Sequence, residues 1–440
     1  MGRRAYVKGA LAVLVGLMAF AISQYPDRSA EAGEAKVTVL VEGGSPAFKA
    51  LQKVKPDFEK KYKVKLEIAT APYMGVRDKL ISEVVSPTGA YDVAAIDVLW
   101  FPLVRNVLEP LDDLATPEVR ADLFPHLLSG ATFDGRLYGM PLWDNAEILV
   151  YRKDLFDDAA EQAAFRRRYG YALRPPTNWQ ELKDVAAFFT RDLDGDGKTD
   201  MFGTSLEGFG GHGDAVTNWL YLAAQAGAKS YVTDGRGEIV IDSQPYLKAS
   251  HFLIDLIDAK LVPPTYMEMA SPQNVELFKA GKLATTYVWA HFLPDLYRSA
   301  AAGRAGGIGV APNVGGAVPG AWYNVVFRAS KSKSAARALV SYLFEHDDAV
   351  ADAFGVAARR SVLEARATMP EGAHLPALIR TLEDRGTFDR PALRRWSEIE
   401  ESVLIPTLQT ILLREKTPEE ALPQARDEIA LILNRQRARP

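Results

Sequence analysis

Cysteine is absent from all 440 residues, and that one absence closes several routes. The chain has no disulfide framework, no thiolate metal site, no cysteine nucleophile and no cysteine for a lipid anchor. Long apolar runs are missing too. The one stretch of that kind, Gly9 to Ile22, is too short to span a bilayer as a helix. Nor is there an excess of positive charge. The chain holds 52 Lys and Arg against 56 Asp and Glu; the first 32 residues account for four and two of these, so the remainder carries 48 against 54, a net charge of −6. That balance argues against a nucleic-acid partner. HExxH, GxSxG and Walker signatures do not occur, which leaves peptidase, esterase and nucleotidase readings without support.

What is present describes a soluble globular protein, with 48% hydrophobic and 25% charged residues. Its length exceeds one ordinary core and suits two lobes. Arg3, Arg4 and Lys8 precede the apolar run Gly9 to Ile22, and Ala30-Glu31-Ala32 offers a small-x-small cleavage pattern. Residues 1–32 therefore read as an export signal, removed in a soluble periplasmic protein without a lipid anchor. The adjacent arginines resemble a twin-arginine signal.

The mature chain opens as an α/β sheet. Lys36 to Glu42 is an apolar strand ending at Gly43-Gly44, and Ser45-Pro46 is a capping start for a helix bearing Phe48, Leu51, Val54 and Phe58. Val64 to Ala69 predicts a second strand, Arg77 to Val85 a helix, and Tyr91 to Asp97 a third buried strand. Ligands of open α/β sheets sit outside the carboxyl ends of the strands, which makes Glu42, Asp97 and Trp100 candidate contacts. Thr132 to Phe156 then contains two extended segments with a polar joint, Asp144-Asn145-Ala146, where the chain passes from one body to another.

Thr177-x-x-Gln180 predicts a capped helix that runs into Asp192-Leu193-Asp194-Gly195-Asp196-Gly197-Lys198-Thr199-Asp200. Carboxylates at loop positions 1, 3, 5 and 9, glycine at 6 and a backbone carbonyl from Lys198 at 7 match a calcium-wrapping loop. Gly203 stands at position 12, so the loop is not a complete EF-hand. The alternatives are one structural calcium on Asp192, Asp194, Asp196, Lys198 and Asp200, or a solvated turn. Gly208 to Gly213 fits GxGxxG, but the preceding residues make a poor strand, so a glycine-rich loop at a cleft mouth is the preferred reading, with His212 and Asp214 as polar ligand contacts. Further strands are expected at Thr285 to Trp289, Gly307 to Pro312 and Val325 to Arg328, followed by helices to the end.

Taken in order, YDVAAID with Trp100, DGRLYGMP with the crossing Trp143 to Tyr151, FKAGKLATTYVW, and GAWYNVVFRASKSKSAARALVSYL resemble the extracytoplasmic solute-binding proteins of ABC importers, in particular the class binding sugars and polyols. The resemblance covers Lys36 to about Ile432. It implies a two-lobe periplasmic-binding-protein fold of type II with three hinge crossings, placed near Asp144, Ala284 and Asn324, and additional C-terminal helices. The lobes would be 33–143 with 284–324, and 144–283 with 325–440. It further implies an interlobe site holding a sugar or polyol, membrane permease subunits as partners, no organic cofactor, no enzymatic activity and a monomer. Carried over by position, Asp97, Trp100, Trp143, Trp289 and Trp322 fall at the site. Sugars lay C–H faces on aromatic rings and need paired donors and acceptors once buried, so Glu42, Asp144 and Asn324 join the list. An exported dinucleotide-dependent oxidoreductase using Gly208 to Gly213, and a secreted carbohydrate hydrolase, are the alternatives.

Overall fold

A computed structural model describes residues 35–437, apart from 211–213, 235, 304–305, 314, 316, 385–389, 391–392 and 394. Strands β1 (Lys36–Glu42) and β2 (Lys65–Ala71) pair in parallel, and β3 (Val93–Asp97) joins β1 on its other side, also in parallel. Val37, Val39, Leu40 and Val41 of β1 are buried, as a strand covered on both faces requires. The helix Pro46–Tyr62 starts as expected: the Ser45 hydroxyl accepts the Phe48 N–H at 3.2 Å, with proline in the first turn. A two-residue hairpin, β4 (Thr132–Phe133) and β5 (Arg136–Leu137), turns through Asp134 and Gly135 at φ 51° and 74°, the Asp-Gly chemistry of a tight hairpin. Next come β6 (Met140–Trp143) and, after three residues, β7 (Glu147–Arg152).

The last strands divide between two sheets. β8 (Thr285–Trp289) and β9 (Ile308–Ala311) flank β7, both antiparallel, in the order β8-β7-β9. β10 (Trp322–Val326) returns to the first sheet, antiparallel between β3 and β6, to give β2-β1-β3-β10-β6. This pairing corrects the lobe boundaries expected from sequence. Residues 285–311 belong to the second sheet, because Ala284 is wholly buried there, its carbonyl accepting the Arg152 N–H and its own N–H reaching Phe202. Residues 325–326, and the helix Lys333–Glu345 packed on β10 and β6, belong to the first.

Three crossings result. One is Asp144 to Ala146, as expected; the second is 312–321, just ahead of Asn324, which lies inside β10; no crossing falls at Ala284. The third lies between Ser361, still bonded to Asp122 of the first lobe, and the helix Leu375–Glu383, which packs on β7. The chain then stays with the second lobe. Its closing helices, Ile405–Leu412 and Pro418–Arg437, pack on Gln244–Asp258. Among the described residues, no helix is long and apolar enough to cross a membrane.

The helix Trp179–Phe189 is capped one residue later than the sequence suggested. Asn178 accepts the Glu181 N–H, and the Glu181 carboxylate returns to the N–H and hydroxyl of Thr177. The dinucleotide reading loses its scaffold, because β7, β8 and β9 pair antiparallel and, among the described residues, only isolated bridges, Met201 with Arg191 and Phe202 with Leu283, precede Gly208 where a full parallel strand is required.

Candidate functional site

A cavity of about 700 Å³ opens between the two sheets. One side is built on strand ends of the first lobe. β10 runs antiparallel to both neighbours, so its first residue, Trp322, pairs with the last residue of β3, Asp97, and with the last residue of β6, Trp143. Register alone therefore gathers Asp97, Trp143 and Trp322, and the short turn Val98–Trp100 adds Trp100. Their rings form a continuous wall: Trp143 stacks on Trp322 at 5.0 Å and 23°, Trp322 meets Trp100 edge-on at 5.5 Å, and Trp100 lies 4.8 Å from Tyr73.

Asp97 is buried at the foot of this wall. One carboxylate oxygen accepts the Leu99 N–H at 2.9 Å; the other accepts the Tyr73 hydroxyl at 3.3 Å and lies 4.0 Å from Arg390. Burial pushes its carboxyl pKa up, and Arg390 and these hydrogen bonds pull partly back. Tyr73 is raised as well, first by burial and then by the Asp97 charge.

The facing side comes from the second lobe and the C-terminal helices. The Arg390 guanidinium sits over the Trp289 ring at 5.6 Å. Trp396, Glu400 and Glu401 follow on a helical stretch whose turn at Glu400–Leu404 is widened to π geometry, just before Pro406, which has no N–H to give the Ser402 carbonyl. Burial pushes the Glu400 carboxyl up to about 7; Arg390 lowers it, and Asp97 and Glu401 raise it. Glu401 itself pairs with Arg77 of the first lobe at 2.9 Å, across the cleft. At the hinge, the Asn145 side-chain amide meets His291 Nδ1 at 2.8 Å, and burial holds that imidazole neutral with its pKa pushed down to about 3.

Four buried polar atoms on cavity-lining residues have no hydrogen-bond partner among the described residues: Asn145 Oδ1, Arg77 Nε, Arg390 Nε and Trp396 Nε1. An acceptor and three donors are thus left for whatever enters.

Of the residues expected from sequence, Glu42, Asp97, Trp100, Trp143, Trp289 and Trp322 line this cavity. Asp144 and Asn324 do not. Asp144 is wholly buried behind the joint, where its carboxylate meets His126 Nε2 at 2.6 Å and accepts the Asn145 N–H. Asn324 is enclosed between β3 and β6. His212 lies outside the described residues, and Asp214 is the first residue of the helix Asp214–Gln225. Sequence reasoning missed Tyr73, Asn145, His291, Arg390 and Glu400. Asn145 sat inside the polar joint already singled out, and the other four carry no local pattern that separates them from surface residues.

The Asp-rich loop lies away from the cleft. Carboxylate oxygens of Asp192, Asp194 and Asp200 fall within 4.8 Å of one another. Asp192 accepts the Gly195 and Gly197 N–H groups, which hold its carboxyl below the usual range. Asp196 stands outside the cluster, bonded to the Lys198 N–H and 3.6 Å from the Lys198 ammonium.

Two α/β bodies joined by three crossings around an aromatic-walled cavity define a bilobed ligand-binding protein. The model of the bacterial extracellular solute-binding protein family matches residues 43–350, and the chain belongs to that family. It is 27% identical over 295 residues to the mannitol-binding protein of Pseudomonas aeruginosa, covering 64% of this chain and 63% of that one. Its fold superposes on maltose-bound MalE3 of T. maritima with a TM-score of 0.73 at 23% identity, covering 90% and 100% of the two chains. An ABC transporter solute-binding protein of Agrobacterium radiobacter K84 in complex with ribitol gives a TM-score of 0.72 at 22% identity, covering 90% and 98%.

Proposed function

We propose that this chain is the solute-binding component of an ABC importer, holding a sugar or polyol between its lobes and handing it to membrane permease subunits. The cleft's composition carries this reading. Its wall of rings suits the C–H faces of a carbohydrate, and its unpartnered acceptor and donors suit hydroxyl groups, which act as both. Relatives named for mannitol and diacetylchitobiose support it. The contacts proposed are Glu42, Asp97, Trp100, Trp143, Trp289 and Trp322, with Arg390 and Asn145 added. Solute docked on the aromatic wall gains Arg390 and Trp289 only when the lobes close, and such contacts are what shift a hinge equilibrium. Residues 1–32 serve export to the periplasm. Catalysis has no part in this role. Isothermal titration of the mature protein against hexoses, disaccharides and hexitols tests it: binding by at least one class, lost in Trp322→Ala, is expected, and no binding by any class overturns it.

We further infer that the loop Asp192–Asp200 holds one calcium ion, because three carboxylates gathered this closely repel one another unless a cation is present. Asp192, Asp194 and Asp200 would supply the charge. Its effect would be on stability, since the loop is exposed and remote from the cavity lining.

A further inference from the structure

Gly320, in the second crossing, lines the cavity together with Trp289 and Asn145. It does not adopt the left-handed backbone that favours glycine, so conformation does not account for it. Space does. A methyl group on its Cα would lie 2.8 Å from Cζ3 and 3.2 Å from Cη2 of the Trp289 indole, closer than carbon atoms pack. The two partners in this contact are held unequally. The Gly320 N–H donates to the Asn145 carbonyl of the first crossing at 2.7 Å, the Ala321 carbonyl accepts the Val98 N–H at 3.1 Å, and Trp322 then enters the ladder of β10. Trp289 is anchored at its base, where it ends β8 opposite Glu147 and the Ala290 N–H donates to the Ala146 carbonyl at 3.0 Å. Its indole is half-buried and borders the open cavity. Anything larger than hydrogen at position 320 therefore displaces the ring rather than the backbone.

We propose that Gly320 is a positioning residue for solute binding. By carrying no side chain it seats the Trp289 indole where that ring meets the solute's C–H face and holds the Arg390 guanidinium, 5.6 Å from its centroid. This rests on the sugar or polyol reading and assigns the same site a residue that shapes it through a neighbour.

Because the ring yields into an open cavity, Gly320→Ala should cost the fold little and the site much. Solute affinity should fall by about tenfold, while the urea midpoint stays near that of the unaltered chain. Phenylalanine lacks the outer edge of the indole that carries Cζ3 and Cη2, so Trp289→Phe makes room for the methyl group. In that background Gly320→Ala should change affinity by less than about twofold, whatever Trp289→Phe costs alone.

The test is a double-mutant cycle on the full mature chain, measured by isothermal titration of glucose, maltose, sorbitol and mannitol into the unaltered protein, both single variants and the double variant. Labelling with 5-fluorotryptophan adds a readout that needs no solute. Of the seven tryptophan fluorine signals, the one missing from Trp289→Phe belongs to Trp289, and it should move further than the others in Gly320→Ala. Additive losses in the cycle, or a Trp289 signal that stays in place, would overturn the proposal while leaving the sugar or polyol reading intact. Loss of cooperative unfolding in Gly320→Ala would overturn it too, since the backbone and not the ring would then have given way. If none of these solutes binds the unaltered protein, both readings fall.

Discussion

The two sides of the cleft rest on different scaffolds. On the first lobe, Asp97, Trp143 and Trp322 stand on three neighbouring strands whose ladder fixes their positions. On the other side, Trp396 and Glu400 stand on a C-terminal helical stretch and Arg390 lies ahead of it outside any helix, all beyond residue 350, where the family match ends. A ladder holds side chains through many backbone bonds at once, so it suits a surface needed for any solute. A helical segment is held by its buried face alone and can change its exposed residues freely. The strand-borne side should thus set affinity, and the helix-borne side should set the choice among solutes.

That contrast can be broken in several places. The largest effect is expected from Trp322→Ala, which removes the ring between Trp100 and Trp143. Solute affinity should drop by about 100-fold or more, and stability by ~3–5 kcal/mol, as for other buried large-to-small changes. Titration calorimetry and urea unfolding would show both. If affinity survives, the ladder-built wall is not the main contact. Arg390→Ala should cost less, about tenfold in affinity with little change in melting temperature, and should reorder the preference among sugars and polyols measured on one panel. A uniform loss across the panel would erase the distinction between the two sides.

At the joint between them, Asp144→Ala would leave His126 and the Asn145 N–H without their buried acceptor. A loss of ~1–3 kcal/mol is expected in chemical unfolding, with a smaller change in affinity. The smallest effect belongs to the Asp-rich loop. Chelator should lower the melting temperature by roughly 2–4 °C, and Asp192→Asn should abolish that response, whereas solute affinity should stay unchanged. No response to chelator, with no calcium found by elemental analysis, would remove the ion from the account.

The same contrast explains what could be read before any coordinates. The strands β1, β3 and β8, and the tryptophans at strand ends, were legible because burial on both faces leaves a continuous apolar run and a strand end names its neighbours. The sheet to which β8 and β10 belong was not, since an isolated strand such as TTYVW carries no mark of its partner. Asp144 was misplaced for a related reason. A polar residue at a joint can face the ligand or brace the hinge, and only His126, 18 residues earlier, decides it. Arg390 and Glu400 sit in a charged stretch of ordinary composition, and nothing local separates a guanidinium aimed into a cleft from one aimed into water.

β10 also bears on how the protein is made. It fills the place between β3 and β6, and the Tyr323 hydroxyl beside it ties back to the Leu127 carbonyl, 196 residues earlier. While the ribosome is still extending the chain, β3 and β6 wait with open hydrogen-bonding edges, and neither can be closed until the strands of the second sheet, through Ala311, have been synthesised. Maturation is accordingly late and vulnerable to edge-to-edge association. A translocation route that accepts finished proteins, the kind suggested by Arg3 and Arg4, would let that last strand slot home before the journey begins.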